Sequence, residues 1–363
     1  SAMTTTEPQE GGPPTTAADV GDSSEVDCGC DSGCVELEYA LKEELGRGAF
    51  AVVRRAVDRK TGKVVVVKSI KADPHTKNAA AELEFALHRR IQRSEHACRA
   101  VPCVHSCFDA GDQLHIVMDA MEGSNLEELL AAGHICGEED AKALMRRLLD
   151  GIDILHSLGI AHNDIKPANL MLKRPGDLDS LYLIDLGLAT DLRKSAWMDA
   201  ACGTPQYFAP ELVRAYTLKT VYGPQVDEWA AGVVMHRLLT GELPFTGSDT
   251  AALFTQILAH RGKLHNKALP LLSEPAQALL AALLDPSPHK RITARQALRH
   301  PWFGGKDRER QPRGRWGALL GRKLAKILQP PAASASTKAC QNLELRHQVC
   351  NQLTSRLSQS VHA

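Results

Sequence analysis

The sequence predicts an α+β protein with two unequal lobes, a small β-rich lobe followed by a larger helical one. Between residues 39 and 70, apolar and polar residues alternate around glycine-containing turns, which is typical of β-strands. Beyond residue 123, apolar residues recur at helical spacing. We place the junction near 119–122, so that the small lobe spans 35–121 and the large lobe 122–303.

The individual elements follow in chain order. Four consecutive valines at 64–67 predict a buried strand, 79–93 has the composition of a helix, and 114–118 predicts another strand. An apolar content of 44% is enough for a buried core. The helices predicted in the large lobe are 141–158, 225–240, 251–259, 275–284 and 293–299.

The first segment, 1–34, differs in composition from the lobes. It is rich in Thr, Pro, Gly, Ser and acidic residues, so ordering it would cost more entropy than burial returns, and we expect disorder. Cys28, Cys30 and Cys34 lack the paired Cys-x-x-Cys spacing of metal sites, and we interpret them as exposed thiols. Ten cysteines without a secretory signal predict reduced thiols.

The overall charge argues against nucleic acid as a partner. Lys plus Arg equals Asp plus Glu at 43 each, so the chain carries no net positive field. No apolar run approaches the length that spans a bilayer. We therefore expect a soluble intracellular protein, cytoplasmic in the first instance. Because the residues 1–3 (Ser-Ala-Met) are typical of an expression-vector remnant, a plastid location is the alternative.

Reactive side chains are concentrated at 162–169, which reads His-Asn-Asp-Ile-Lys-Pro-Ala-Asn, and sixteen residues later Asp185 opens an Asp-Leu-Gly motif. Phosphoryl transfer needs a carboxylate to orient a hydroxyl, a cation on the transferring oxygens and two oxygen ligands for Mg²⁺. Asp164, Lys166, Asn169 and Asp185 can supply these groups in that order, with the last two as metal ligands.

Two downstream motifs accompany these residues: Gly-Thr-Pro-Gln-Tyr-Phe-Ala-Pro-Glu at 203–211 and Asp-Glu-Trp-Ala-Ala-Gly at 227–232. Together the motifs resemble those of eukaryotic Ser/Thr protein kinases over about 39–303. The resemblance implies the bilobal kinase fold and Mg²⁺-dependent transfer of the ATP γ-phosphate to Ser or Thr of protein substrates, with Asp164 as catalytic base. The segment 285–303 resembles calcium/calmodulin-type kinases, and the surroundings of Asp185 resemble thylakoid state-transition kinases.

The resemblance also implies where ATP binds. Lys68 would contact the α- and β-phosphates, held by a carboxylate of the next helix. Glu82 and Glu84 both qualify, and we prefer Glu84 because apolar residues follow it by one, three and seven positions. The nucleotide-binding residues that the resemblance implies are Leu45, Gly46, Gly48, Val53, Val66, Lys68, Met118, Asp119, Met121, Asn125, Asn169, Met171 and Asp185.

Three residues depart from the family pattern. Asn163 stands where many relatives carry an arginine that binds an activation-loop phosphate, so we expect activity without that phosphate. Leu186 replaces a phenylalanine, and Ala51 replaces a glycine. A binding scaffold without catalysis is the alternative that these changes raise. We favour an active enzyme because none of the three is a required chemical group.

The resemblance further implies a platform for the substrate peptide. Thr204 and Tyr207 would face the residue that follows the acceptor, and Glu211 would form a buried pair with Arg291. Kinases that select upstream arginines resemble this chain but carry acids where it has Asn125 and Ala168. We expect weaker selection of such arginines, since their carboxylate partners are missing.

The extension 304–363 begins with a basic stretch. Residues 306–328 hold eight Lys or Arg against two acids, and 316–328 can gather six large apolar residues on one helical face. A basic amphipathic helix suits calmodulin, an anionic membrane surface or an intramolecular contact with the kinase itself. The three alternatives for 304–328 stay open.

Overall fold

The computed structural model describes residues 34–48, 51–72, 79–96, 98–133, 136–195, 197–264 and 266–304. The extension beyond residue 304 and the first 33 residues, with Cys28 and Cys30, lie outside these ranges. The small lobe is a five-stranded antiparallel sheet with the strand order β1-β2-β3-β5-β4, preceded by one helical turn, α1 (Val35–Glu38). Its strands are β1 (Tyr39–Arg47), β2 (Ala51–Asp58), β3 (Val64–Lys71), β4 (Val104–Asp109) and β5 (Gln113–Asp119).

The four valines lie in β3, but the strand is buried on one face and not on both. Val65 and Val67 pack into the sheet's core, whereas Val66 lies on the opposite face and is only partly buried. In the strand register Val66 pairs with Met118 and Lys68 pairs with Val53. Because cross-strand partners and residues two apart share a face, these four side chains line the same face of the sheet.

Helix α2 (Ala79–Gln92) connects the two lobes. Phe85 packs with β4 and β5, while Leu87 and Ile91 belong to the core of the large lobe. Glu84 lies on the same face and is 3% exposed. A carboxylate is rarely buried to this extent unless it is paired, so the helix must bring Glu84 to a cation.

The large lobe is helical and surrounds α6, which is buried on nearly every side, as its predominantly apolar sequence requires. Helix α4 begins three residues before its predicted start, because three acidic residues in its first turn favour a helix N-terminus. The helices are α3 (Leu126–Ala131), α4 (Glu138–Ser157), α5 (Pro210–Leu218), α6 (Val226–Thr240), α7 (Thr250–Ala259), α8 (Glu274–Leu283) and α9 (Ala294–Ala297).

Two short strand pairs place the 162–169 string and the Asp-Leu-Gly motif side by side. One pair joins β6 (Ile160–Ala161) to β9 (Thr190–Asp191), and the other joins β7 (Leu170–Leu172) to β8 (Leu181–Leu183). The string 162–169 therefore connects β6 to β7, and the Asp-Leu-Gly motif follows β8 directly. The 162–169 string and the Asp-Leu-Gly motif therefore lie close together because of these strand pairs.

Cys98 and Cys103 form a disulfide in the turn between α2 and β4. The prediction that the thiols are reduced is wrong for this pair. The two cysteines are five positions apart in the sequence, so the bridge closes one small loop. The number of cysteines in a sequence indicates a framework of several disulfides and does not detect a single local bridge.

Neither a membrane span nor a clustered metal centre is found in the part of the chain that the structure describes. None of its helices combines the length and the apolar character that crossing a bilayer requires. No group of three or more His, Cys, Asp or Glu side chains in these ranges is arranged to hold a metal ion.

Candidate active site

The catalytic loop, residues 162–169, is fixed from below by Asp227 on α6. The backbone N–H groups of His162 and Asn163 donate to Asp227 at 2.8 and 2.9 Å. Although burial opposes ionisation, hydrogen bonds from His156 and from this backbone hold the pKa of Asp227 below its usual value. A charged carboxylate in the core thus sets the position of the residue that follows, Asp164.

Asp164 lies at the centre of a closed hydrogen-bond network. Its Oδ2 accepts from Lys166 Nζ at 2.6 Å, and its Oδ1 accepts from the Thr204 hydroxyl at 2.8 Å. Lys166 also donates to Thr204 at 2.9 Å. Asn169 Nδ2 donates to the backbone carbonyl and to Oδ2 of Asp164, at 2.8 and 3.0 Å. The acid, the amine and the amide that were predicted from their spacing therefore share one site.

Gly203 lets the 203–211 segment approach this loop. Its φ is 105°, and a Cβ there would lie 2.6 Å from the carbonyl oxygen of Asn163. A side chain would push Thr204 away from Asp164, so the backbone needs glycine at this position.

Lys68 forms the second centre of the site. Its Nζ donates to both carboxylate oxygens of Glu84, at 2.7 and 2.9 Å, and to Asp185 Oδ1 at 2.7 Å. Burial disfavours the cation, but the charges of Glu84 and Asp185 outweigh burial and raise the pKa of Lys68. Of the two acids proposed from the sequence, Glu82 and Glu84, it is Glu84 that meets this lysine.

Asp185 and Asn169 lie next to each other because the N–H of Ile184 donates to the carbonyl of Asn169 at 2.9 Å. The amide of Asn169 is oriented by the two bonds that its Nδ2 makes to Asp164, so a metal would bind through Oδ1. Asp185 uses Oδ1 for Lys68 and for the N–H of Gly187 at 3.2 Å. Two protein oxygens suffice for Mg²⁺ when nucleotide phosphates supply further ligands, so the residues present fit this ion.

The strand face described above adjoins Glu84 and Asp185 through Lys68. It carries Val53, Val66, Lys68 and Met118, all of which were predicted to contact ATP. Gly48 donates its N–H to the Ala51 carbonyl at 2.8 Å and closes the turn between β1 and β2. A Cβ added at Gly46 would have no atom within 4 Å, so close packing within the protein does not explain why this residue is a glycine. Leu45, at the edge of this turn, is half-exposed.

The hinge between the lobes carries the remaining predicted nucleotide contacts. The N–H of Asp119 donates to the Cys103 carbonyl at 2.9 Å and is therefore not available to a purine. Asn125 was predicted to contact the nucleotide. Its side chain caps α3: Oδ1 accepts from Glu128 N and Nδ2 donates to the Glu128 carboxylate. Its backbone pairs with Met171. Met121, between these residues in sequence, is partly buried.

Asn163 connects the catalytic loop to the start of the activation segment, here residues 188–191, which follow the Asp-Leu-Gly motif. It adopts a positive φ of 67°, and its Nδ2 donates to the Leu188 carbonyl and to the Thr190 hydroxyl, both at 2.9 Å. A neutral amide thus holds the chain just after Asp185. Leu186 is buried in the core of the large lobe, as an apolar side chain in this motif requires.

A further ion pair was not predicted from the sequence. Arg90 on α2 makes a two-point pair with Asp191 on β9, with 2.9 Å between Nη1 and Oδ1. Burial opposes the charge of Asp191, but the guanidinium of Arg90 holds the pKa of Asp191 well below its usual range. The pair ties the helix that carries Glu84 to the activation segment. The two residues are 101 positions apart, and no local pattern indicates their contact.

The expected pair between Glu211 and Arg291 is present below the peptide platform. The Arg291 guanidinium donates to Glu211 Oε2 at 3.0 Å and to the carbonyl oxygens of Gln225 and Asp285, at 2.7 and 3.1 Å. Arg291 is also 5.1 Å from the ring centroid of Trp229. This fully engaged cation joins the 203–211 segment to the core of the large lobe.

Comparison with known proteins places these residues in a family. A family model described as the protein kinase domain matches residues 39–303. A probable myosin light chain kinase of Dictyostelium discoideum is 34% identical over 280 residues, which is 77% of this chain and 87% of that protein. Human serine/threonine-protein kinase H1 is 33% identical over 270 residues, 74% of this chain and 62% of that one.

Two further similarities extend this result. Calcium-dependent protein kinase 11 of Arabidopsis thaliana is 34% identical over 270 residues, 73% of this chain and 52% of the relative. The crystal structure of Rad53 1-466 in complex with AMP-PNP has a TM-score of 0.61 at 31% identity and covers 73% of this chain and 65% of that chain. The chain thus spans only part of the length of several relatives.

Proposed function

Because this chain belongs to the protein kinase family, we propose that it transfers the γ-phosphoryl group of ATP to serine and threonine hydroxyls of protein substrates. One observation carries the proposal: the network of Asp164, Lys166, Thr204 and Asn169 adjoins the paired Lys68, Glu84 and Asp185. These are the acid, cations and oxygen ligands that phosphoryl transfer needs. Hydrogen bonds join the members of each group, and the backbone bond from Ile184 to Asn169 brings the two groups together.

Asp164 would orient the acceptor hydroxyl and accept its proton. The Thr204 hydroxyl already donates to Asp164 Oδ1 and accepts from Lys166, so both side chains are preorganised around a hydroxyl group. Lys166 would then stabilise the charge on the transferring oxygens. Because these side chains are fixed by Asp227 and Asn169, little reorganisation accompanies the reaction.

Lys68 would bind the α- and β-phosphates while Glu84 holds it in place. Glu84 is buried, and its charge keeps the lysine in its cationic form within the cleft. Mg²⁺ bound with the nucleotide by Asn169 and Asp185 would neutralise negative charge on the phosphates. The similar solved structure is titled as a complex with AMP-PNP, an analogue of ATP, which supports ATP as the nucleotide.

We further propose that the enzyme is active without a phosphate on its activation loop. In relatives with an arginine beside the catalytic Asp, a phosphate would pair with that cation. Here the neutral Asn163 holds the segment through Leu188 and Thr190, and Arg90 holds it through Asp191. These contacts supply the order that a phosphate supplies elsewhere.

Incubation with ATP labelled in the γ-phosphate, Mg²⁺ and a generic protein substrate tests the proposal. We expect label on serine and threonine of the substrate, identified by phosphoamino-acid analysis. The same assay without Mg²⁺ is the matched control. Absence of transfer from a folded protein that binds ATP would instead support a binding scaffold, and label on tyrosine would overturn the substrate class.

A further inference from the structure

Arg237 on α6 and Glu127 on α3 form an ion pair with two-point geometry. Nη2 lies 2.6 Å from Oε1, and Nη1 donates to Oε2 at 2.7 Å. The arginine side chain is 20% exposed and the glutamate side chain 42%, so the pair lies at the surface of the large lobe. Bidentate pairs of this kind fix the orientation of both side chains.

The pair lies beside the surface expected to bind the substrate peptide. Arg237 Nη1 also donates to the Tyr207 hydroxyl at 3.0 Å, and Tyr207 belongs to the turn that follows Thr204. Thr204 in turn contacts Asp164. A continuous chain of contacts therefore leads from the catalytic carboxylate to Arg237.

Glu127 lies on the side of the large lobe where substrate residues that precede the acceptor are expected to bind. It lies in the first turn of α3, whose cap is Asn125. The sequence resemblance assigns the positions of Asn125 and Ala168 to contacts with upstream substrate residues. Of the two acids in the first turn of α3, Glu128 is bonded to Asn125, and Glu127 is already engaged by an arginine of the protein itself.

The chemistry of the pair determines which substrate side chains it can accept. Both oxygens of Glu127 accept from Arg237, so a substrate arginine could bind Glu127 only by competing with a tethered, preoriented guanidinium. Arg237 would also repel such a residue. A guanidinium has five N–H groups, and Glu127 and Tyr207 use three of them, so an acidic substrate residue can still be accepted.

Building on the proposed function, we propose that Arg237 is a specificity-determining residue that closes the upstream subsite to basic residues. By neutralising Glu127 it directs the kinase to peptides with acidic or uncharged residues before the acceptor. The pair acts as an internal substitute for a substrate arginine. Replacing Arg237 or Glu127 should therefore change the charge that the kinase prefers in upstream substrate residues. The two replacements should change this preference in opposite directions.

A positional peptide library with a fixed serine acceptor tests this inference on four proteins. They are the unaltered chain, Arg237→Gln, Glu127→Gln and the double variant. Arg237→Gln exposes an unpaired carboxylate, and we expect selection of upstream arginine to rise about tenfold, the size of one charge-assisted hydrogen bond. Glu127→Gln exposes an unpaired cation, so selection should move toward Asp and Glu. The double variant should show neither preference.

Arg237→Lys provides a second variant in case the loss of the Tyr207 contact impairs folding, because it keeps the charge and should still exclude upstream arginine. Strong selection of upstream arginine by the unaltered chain would overturn the inference, and so would identical profiles for the unaltered chain and both single variants. These outcomes differ from failure of the proposed function, in which no peptide in the library is phosphorylated by any of the four proteins.

Discussion

His156 and Asp227 are joined in the large lobe by a contact of 2.9 Å between Nε2 and Oδ2. The other ring nitrogen, Nδ1, lies 3.3 Å from Glu228. Burial opposes a charge on the imidazole, but hydrogen bonds to the two carboxylates outweigh it and raise the pKa of His156 to about 10. Because Asp227 also holds the backbone of the catalytic loop, a cationic histidine supports the position of Asp164.

We expect the free energy of unfolding to decrease as pH rises through about 10 because His156 loses its proton. A histidine whose pKa is raised from 6.5 in the folded state stabilises the fold fully below 6.5, and this contribution is lost by about 10. The slope from one such group is at most about 1.4 kcal/mol per pH unit. Urea unfolding of the unaltered chain and of His156→Gln at several pH values measures it.

Glu228→Gln should move this loss of stability to lower pH, because one of the two carboxylates that favour the imidazolium is removed. The control is His115→Gln: burial lowers the pKa of His115, so this variant should keep the alkaline slope of the unaltered chain. Parallel stability curves for the unaltered chain and His156→Gln would contradict the prediction.

Asp164→Asn and Asp185→Asn should each reduce phosphoryl transfer by at least about a hundredfold while the protein stays folded. Both changes remove a charge used in the reaction and keep the shape of the side chain. Initial rates with labelled ATP and unfolding midpoints in urea measure the two effects. Asp185→Asn should also raise the Mg²⁺ concentration needed for half-maximal rate, because it removes a proposed metal ligand.

Asp153→Asn is the control for this pair of variants. Asp153 contacts Arg295 at 3.1 Å, away from the catalytic loop, so the same chemical change there should leave the rate unaltered. If Asp164→Asn and Asp153→Asn transferred phosphate equally well, Asp164 could not be the catalytic base.

Removing phosphate from the protein should change the initial rate by less than about tenfold, which corresponds to about 1.4 kcal/mol in the barrier. The reason is that Asn163, which offers no charge to a phosphate, already bonds to Leu188 and Thr190. The rate is measured before and after phosphatase treatment, with loss of phosphate verified by mass spectrometry. A larger drop would mean that another cation of the protein binds an activation-loop phosphate.

Local patterns predicted much of the fold and the chemistry of the site. The strand-like and helix-like spacing of apolar residues indicated the two lobes. The positions of the apolar residues after Glu84 distinguished it from Glu82 as the partner of Lys68. The two- and three-residue strands β6 to β9 were not predicted, because segments of this length carry no period. The run of four valines also predicted a fully buried strand, but Val64 and Val66 lie on the opposite face from Val65 and Val67 and are only partly buried.

Some contacts depend on the folded backbone or on packing and could not be predicted from local patterns. The side chain of Asn125, one of the predicted nucleotide-binding residues, serves as the N-cap of α3, and this role was not predicted. The disulfide between Cys98 and Cys103 depends on the turn that brings them together. Arg237 meets Glu127 across 110 positions, which only the packing of α6 against the start of α3 determines.

Arg90→Gln should destabilise the protein by about 2 kcal/mol, less than the 3–5 kcal/mol for breaking a fully buried pair. Asp191 is 5% exposed and would lose its main partner, while Arg193 would still lie 3.3 Å away. Because the pKa of Asp191 is lowered in the folded state, this stabilisation is present above the ordinary pKa of 3.8 and disappears as pH falls below it. Urea unfolding at neutral and at acidic pH measures both effects.

Arg93→Gln, at the exposed residue that directly follows the same helix, is the matched control, since it makes the same chemical change without removing this pair. The rate of phosphoryl transfer should also fall for Arg90→Gln, because α2 would be less firmly tied to β9 and Glu84 less firmly held against Lys68. Adding Asp191→Asn should recover part of the lost stability, since it removes the unpaired buried charge. If Arg90→Gln and Arg93→Gln unfolded at the same urea concentration, the pair between Arg90 and Asp191 would contribute nothing to the fold.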